Sequence, residues 1–357
     1  MAALAILILA DCSSLNMAST PQSSRSGWEW LGTKNVAART GEVFATSCAS
    51  ATFCVATGGY RTGTDTDPGP YKGGWASTFN GAKWSAQSVV GENFKSCASL
   101  RACDFQGKGL QSVACSSAHF CMAIDTVSKA FRFDGNSWTE MPLNYGLSPV
   151  IYQGTASDLT CPSAAFCMAE NNIQIADTFN GTSWGAPSKA PPTGNVWCRS
   201  ATDCIGFGTG FNGINIGPII YGYDGNKWSQ LDHISADGWI ATPFCLDTKT
   251  CAFSNGIVVP LPGYDRYFDY ISCASASFCM ALTLDSDQNF TAYSEYNGRR
   301  WLPSRPLPHI WGSQMTTSDG SAEQGWNSDS PPLRCSSPHF CLLVSASGQT
   351  WVWHGAN

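Results

Sequence analysis

The chain has 357 residues, 43% of them hydrophobic but only 13% charged, with 35 glycines and 14 tryptophans. So low a charge density disfavours a helical protein, whose wet faces carry Glu, Lys and Arg in quantity, and favours a turn-rich all-β one. A net charge of −6 without any basic cluster argues against nucleic acid or an anionic membrane surface as the partner.

Residues 1–26 stand apart. "MAALAILILAD" is a short apolar stretch with no basic residue before it, and Ser13 to Ser26 read as a flexible Ser/Pro-rich tether. Leu9-Ala10-Asp11-Cys12 resembles a bacterial lipoprotein processing site, with Asp11 where Gly, Ala or Ser usually stands. The expectation is export, with lipidation at Cys12 or removal of an ordinary signal peptide. No later stretch is apolar and long enough to span a membrane.

From residue 27 the sequence repeats. Seventeen cysteines are present, and sixteen fall into eight pairs with five residues between: Cys48/Cys54, Cys97/Cys103, Cys115/Cys121, Cys161/Cys167, Cys198/Cys204, Cys245/Cys251, Cys273/Cys279 and Cys335/Cys341. In a short hairpin the two members face each other on one side, within disulfide reach. Zinc would want closer spacing and two pairs, or a pair with histidines, whereas these pairs recur alone. Disulfides are expected, and with them an oxidising compartment.

A second string follows the hairpins: "FNGAKW", "FDGNSW", "FNGTSW", "YDGNKW" and "YNGRRW". Its Asn-Gly or Asp-Gly step predicts a tight turn with both central residues at positive φ. Residues 159–188 then parse into four strands, and four short antiparallel strands every 40 residues or so describe a β-propeller blade. Starts at Cys48, Cys115, Cys161, Cys198, Cys245, Cys273 and Cys335 predict seven blades, with Cys97–Cys103 as an insertion or an eighth. The unit beginning at Cys245 is compressed, with "IVVPL" and "RYFDY" expected as its outer strands. The last unit ends at "TWVWHGAN" without its Trp strand, and "GWEWLG" near residue 28 has no hairpin before it. The N-terminal strand is therefore expected to complete the last blade, making 27–357 a single domain without exposed sheet edges.

Together C-x-S-x-x-F-C-x-A and [FY]-[ND]-G-x-x-W resemble the disulfide-stapled propeller repeats of exported bacterial proteins, notably actinobacterial ones. The resemblance implies architecture and export more than any one activity. The Gly-x-x-Trp turn is also distantly similar to the Asp-box of sialidase-like propellers, with Phe79, Phe133, Phe179, Tyr223 or Tyr296 where that turn carries its Asp.

Catalytic signatures are sparse. No Arg-Ile-Pro setting marks a sialidase, no Gly-x-Ser-x-Gly elbow marks a serine hydrolase, and His119 and His339 share one repeated loop position. Asp65 with Asp67, and Asp285 with Asp287 and Asn289, place oxygens at alternate positions as calcium loops do, though neither string continues as a full loop. Trp84, Trp138, Trp184, Trp228 and Trp301 hold the repeated turn position and are expected to pack. Tyr60, Tyr71 and Trp75 (in 58–75) and Trp311 and Trp326 (in 306–332) interrupt the repeat on polar loops, and suit stacking on sugar rings. The expected protein is a secreted or lipid-anchored, monomeric, non-enzymatic binding propeller. Its expected ligand is a cell-surface or extracellular glycan, or else an envelope protein, with no cofactor beyond calcium and membrane contact only through Cys12. An enzyme with its site assembled in the central funnel is the third reading. Thiol titration under denaturing, non-reducing conditions should find at most one free cysteine; several would undo the assignment to an oxidising compartment.

Overall fold

Two repeated turns set where strands begin and end. The structure, a computed structural model, describes residues 27–31, 41–61, 71–92, 109–125, 129–143, 158–171, 175–186, 188–190, 193–211, 216–233, 244–247, 250–252, 258–259, 270–284, 290–308, 333–345 and 347–355. In the first turn the serine two places after the leading cysteine folds back on the chain. The Thr52 amide donates to Ser50 Oγ at 3.2 Å, and the His119 and Ser277 amides do the same to Ser117 and Ser275. The bond recurs at Ala165, Thr202 and His339. A hydroxyl acceptor two residues back holds a reverse turn. One extra residue bulges the strand, so Cys48 lies opposite Cys54 while Ser50 lies opposite Phe53. Disulfides join Cys48–Cys54, Cys115–Cys121, Cys161–Cys167, Cys198–Cys204, Cys273–Cys279 and Cys335–Cys341, with Cα atoms 3.9 to 4.1 Å apart. Cys245 and Cys251 pair in register, while Cys12, Cys97 and Cys103 lie outside the described residues.

The second turn is wider than the two-residue hairpin expected. Phe79 pairs with Trp84, Phe133 with Trp138, Phe179 with Trp184, Tyr223 with Trp228 and Tyr296 with Trp301, which leaves a four-residue loop. The Asn or Asp side chain builds it. Asn180 Oδ1 accepts the amides of Thr182 and Ser183 at 3.0 Å each, and Asp134 Oδ1 those of Asn136 and Ser137 at 2.8 and 2.9 Å. Such amide bonds hold the Asp134 and Asp224 carboxyls below their ordinary range. The glycines have φ between 84° and 104°. A Cβ there would also strike the first turn of the same sheet, 2.5 Å from His119 Nδ1 at Gly135 and 3.1 Å from the Ala51 carbonyl at Gly81. Glycine is needed for both reasons.

These turns divide the described residues into seven antiparallel sheets, six of four strands and one of three. After β1 (Gly27–Trp30), the first sheet is β2 (Gly41–Ser50), β3 (Phe53–Arg61), β4 (Tyr71–Phe79) and β5 (Ser88–Glu92). The second is β6 (Leu110–Ser117), β7 (Phe120–Asp125), β8 (Ala130–Phe133) and β9 (Trp138–Met141). The third is β10 (Asp158–Ser163), β11 (Phe166–Asn171), β12 (Ile175–Phe179) and β13 (Ser188–Lys189). The fourth is β14 (Thr193–Ser200), β15 (Asp203–Phe211), β16 (Ile216–Tyr223) and β17 (Trp228–His233). The fifth has β18 (Phe244–Asp247), β19 (Thr250–Ala252) and β20 (Val258–Val259). The sixth has β21 (Tyr270–Ser275), β22 (Phe278–Leu284), β23 (Phe290–Tyr296) and β24 (Arg305–Pro306). Tyr270 of "RYFDY" thus opens the sixth sheet and is not an outer strand of the fifth, because its register partner is Leu282. The seventh has β25 (Leu333–Ser337), β26 (Phe340–Val344) and β27 (Thr350–His354), and β1 takes its fourth place, with Trp28 opposite Trp353 and Trp30 opposite Trp351.

Successive sheets lean on one another through their first strands: β2 on β6, and so on through β10, β14, β18, β21 and β25, with β25 also against β2. In three seams the phenylalanine before the second cysteine meets the aromatic of the next sheet's wide turn. Phe53–Phe133, Phe120–Phe179 and Phe340–Phe79 have centroids 6.2, 6.0 and 6.5 Å apart. The residue just before the first cysteine clips the seam. Ser47 Oγ accepts the Cys115 amide at 2.9 Å, Thr160 Oγ1 that of Cys198 at 3.1 Å and Ser272 Oγ that of Cys335 at 2.9 Å. Arg334, at the same place in the seventh sheet, donates from Nε to the Thr46 carbonyl of the first at 2.8 Å. First strands are sheet edges whose backbone groups need partners, and these side chains supply some. Among the described residues no helix is long and apolar enough to cross a membrane. Ser47→Ala and Ser272→Ala should each lower stability by about 1 kcal/mol in urea titrations, with exposed Ser183→Ala near neutral; equal effects at all three positions would dismiss the clips.

Candidate functional site

Strand direction gives the sheets two unlike ends. Both repeated turns fall at one end, because they join strands one to two and three to four. Every other connection, from strand two to three and from sheet to sheet, leaves and re-enters at the opposite end, except that the chain leaves the three-stranded fifth sheet from β20 at the turn end. The turn end is nearly uniform, with small polar side chains and the exposed Lys83, Lys227, Arg299 and Arg300. His119 and His339 are exposed there too, and His354 Nε2 lies 3.2 Å from Glu29 Oε2, pinning β1 to β27. The opposite end is where chain lengths between strands differ.

Three of the expected loop aromatics belong to strands instead. Tyr60 is near the end of β3, opposite Gly73, and its half-buried ring lies across that glycine: a Cβ on Gly73 would come 2.8 Å from Tyr60 Cε1. Tyr71 opens β4. Trp75 lies within β4, only 1% exposed, and its Nε1 donates to the Gly59 carbonyl at 3.0 Å. A Cβ on Gly58 would reach 2.7 Å from Trp75 Cζ2. Gly58 and Gly73 therefore make room for rings, and Gly74 for the Leu110 side chain, rather than marking a loop. Trp75 is a core residue with no free face for a sugar. Trp311, Trp326, Asp65, Asp67, Asp285, Asp287 and Asn289 lie outside the described residues.

Sequence reasoning missed three buried carboxylates. Asp125 caps the turn between β7 and β8, accepting the Lys129 amide on Oδ1 at 2.7 Å. Glu170, 2% exposed, neighbours Ala176 across the strands, on the face toward the fourth sheet. Asp177, fully buried, lies opposite Ala169 and two residues from Phe179, on the face toward the second sheet. Burial pushes the Asp177 carboxyl up to about 6, against the pull of the Thr178 and Gly185 amides. Asp177 and Glu170 face different seams, so they form no paired-carboxylate site. Among the described residues no three His, Cys, Asp or Glu side chains gather as metal ligands would. What the described residues do hold is a rigid frame with one regular end and one variable end. Trp75→Ala should cost about 3–5 kcal/mol in a denaturation series and Trp75→Phe less; unchanged stability with lost binding would restore the ligand role.

No family model matches the chain, and no curated protein does. Solved structures are similar to it. YCF48 bound to a D1 peptide shares 10% identity over 93% of this chain and 96% of that one, with a TM-score of 0.53. The WD40 β-propeller domain of Doa1 shares 10% identity over 92% and 97%, with a TM-score of 0.54. YCF48 from Cyanidioschyzon merolae shares 11% identity over 92% and 99%, with a TM-score of 0.52. Identity this low speaks for the fold alone, and the fold is that of a β-propeller.

Proposed function

We propose that this chain is an exported, non-enzymatic binding protein, a seven-bladed propeller closed by β1 in its last blade, with the end opposite the cysteine hairpins as its recognition surface. The observation that carries this reading is the asymmetry of the two ends. Six copies of one serine-held turn occupy the first, while variation in connection length, apart from the segment that leaves β20, falls at the second, and binding function concentrates on variable loops over a fixed scaffold. The adjacency of β25 to β2 supports closure, and six disulfides fit an oxidising environment outside the cytoplasm. Lipidation at Cys12 would tether the propeller to a membrane through residues 13–26.

Glycan is the proposed ligand, stacked on Trp311, Trp326, Tyr60 and Tyr71, with calcium proposed at Asp65/Asp67 or Asp285/Asp287/Asn289. A protein partner is the second reading, favoured by the likeness to YCF48, a propeller whose structure holds a D1 peptide. A glycan array with the purified chain should give binding that Trp311→Ala with Trp326→Ala reduces at least about tenfold, roughly the 1–3 kcal/mol of a lost aromatic stack. Lys83→Ala and Arg299→Ala/Arg300→Ala, at the turn end, should leave it unchanged. No sugar bound, with an envelope protein captured instead and released on replacing residues 309–332, would favour the protein reading. Loss only with the turn-end variants would put the surface at the wrong end.

A further inference from the structure

The third sheet holds a carboxyl where the first and sixth hold a neutral serine hydroxyl and the second, fourth and seventh hold the rings of Phe131, Tyr221 and Trp351. Two residues before the aromatic of the wide turn stand Ser77 in the first sheet, Ser294 in the sixth and Asp177 in the third. Ser77 Oγ donates to the Ser85 carbonyl at 2.8 Å, one residue past the turn tryptophan. Ser294 Oγ shares a 2.9 Å hydrogen bond with Ser304 Oγ. In each case a neutral hydroxyl ties strand three to strand four. Gly185 stands in the third sheet where Ser85 stands in the first, and the backbone there is alike: the Gly185 amide donates to the Thr178 carbonyl at 2.9 Å as the Ser85 amide does to Thr78 at 2.7 Å. A Cβ on Gly185 would stand in ordinary contact with the carboxyl, 3.7 Å from Asp177 Oδ1. Asp177 has no exposed surface, and neither carboxylate oxygen makes a well-formed hydrogen bond.

We propose that Asp177 is an acid-responsive latch of the seam between the second and third sheets, buried there in its neutral, protonated form at the place Ser77 holds in the first sheet. Loss of the proton would leave an anion facing Phe179, Ala169 and Met122, drawn on only by the Thr178 and Gly185 amides, which is costly in an apolar seam. No charge offsets it. Arg132 of β8 lies with its guanidinium 5.5 Å over the Phe120 ring, Glu170 of β11 is on the other face of the sheet, and Lys189 of β13 is exposed. Asp125 is engaged in its own turn, and Lys129 and Glu140 pair with each other at the surface. None acts as a charge on Asp177, whose displacement to about 6 comes from burial. A carboxyl raised on folding binds its proton more tightly in the folded state. Its stabilising effect is therefore greatest below the ordinary carboxylate range, is lost as pH rises to about 6, and is flat above.

Thermal unfolding of the full chain at pH 5 and pH 7.5 tests this, with Asp177→Ser and Asp177→Asn beside it. The wild-type Tm should fall by about 2 °C more over that interval than that of D177S, so that D177S is the more stable at pH 7.5. Equal falls for the two would overturn the latch. Carbon-13 titration of the aspartates in the wild-type protein reads the same group without a variant. One buried carboxyl should titrate near pH 6, and its absence there would be equally decisive.

Discussion

The rest of the structure depends on the contact between two turns at one end of the first, second, third, fourth and sixth sheets. A two-stranded hairpin is marginal on its own. Here a disulfide closes the first hairpin, contributing about 2 kcal/mol on the chain-entropy model, and the wide turn of strands three and four then seats its glycine on that closed hairpin. One end of the sheet is thereby fixed by a covalent bond, a serine acceptor and an Asn or Asp acceptor. The other end is left free to differ from repeat to repeat.

Rigid sheets are then joined by two small sets of contacts. The aromatic of one turn packs on the phenylalanine of the neighbouring hairpin, and a hydroxyl from one first strand meets the backbone of the next. Stability in such an array is a sum of repeat and nearest-neighbour terms. The first and last sheets share the aromatic contact, through Phe340 with Phe79, and replace the hydroxyl clip with Arg334 donating to the Thr46 carbonyl. Trp84 Nε1 adds a bond to Thr350 Oγ1 at 3.0 Å across the same junction.

Much of this was legible because local chemistry repeats. Cysteine spacing predicts the hairpins, Gly-x-x-Trp marks the outer turns, and the split last repeat predicts that Trp28 and Trp30 pair with the C-terminal strand. The turn width was not legible from Asn-Gly alone, since the side-chain oxygen bonds two amides at once and stabilises a longer loop. Gly58 and Gly73 read as loop punctuation, although they are strand positions emptied to fit Trp75 and Tyr60. The clips and Asp177 become visible only when repeats are set against one another, because each is one polar atom among apolar neighbours. The proposed ligand segments do not repeat, so no sister unit in the chain serves as a template for them.

Disulfide mapping bears most directly on the stapled-sheet account. Non-reducing digestion and mass spectrometry should place each bond between cysteines six positions apart, inside a single repeat, at Cys48–Cys54, Cys115–Cys121, Cys161–Cys167, Cys198–Cys204, Cys273–Cys279 and Cys335–Cys341. Bonds running between repeats, or these pairs recovered reduced from the native protein, would contradict it.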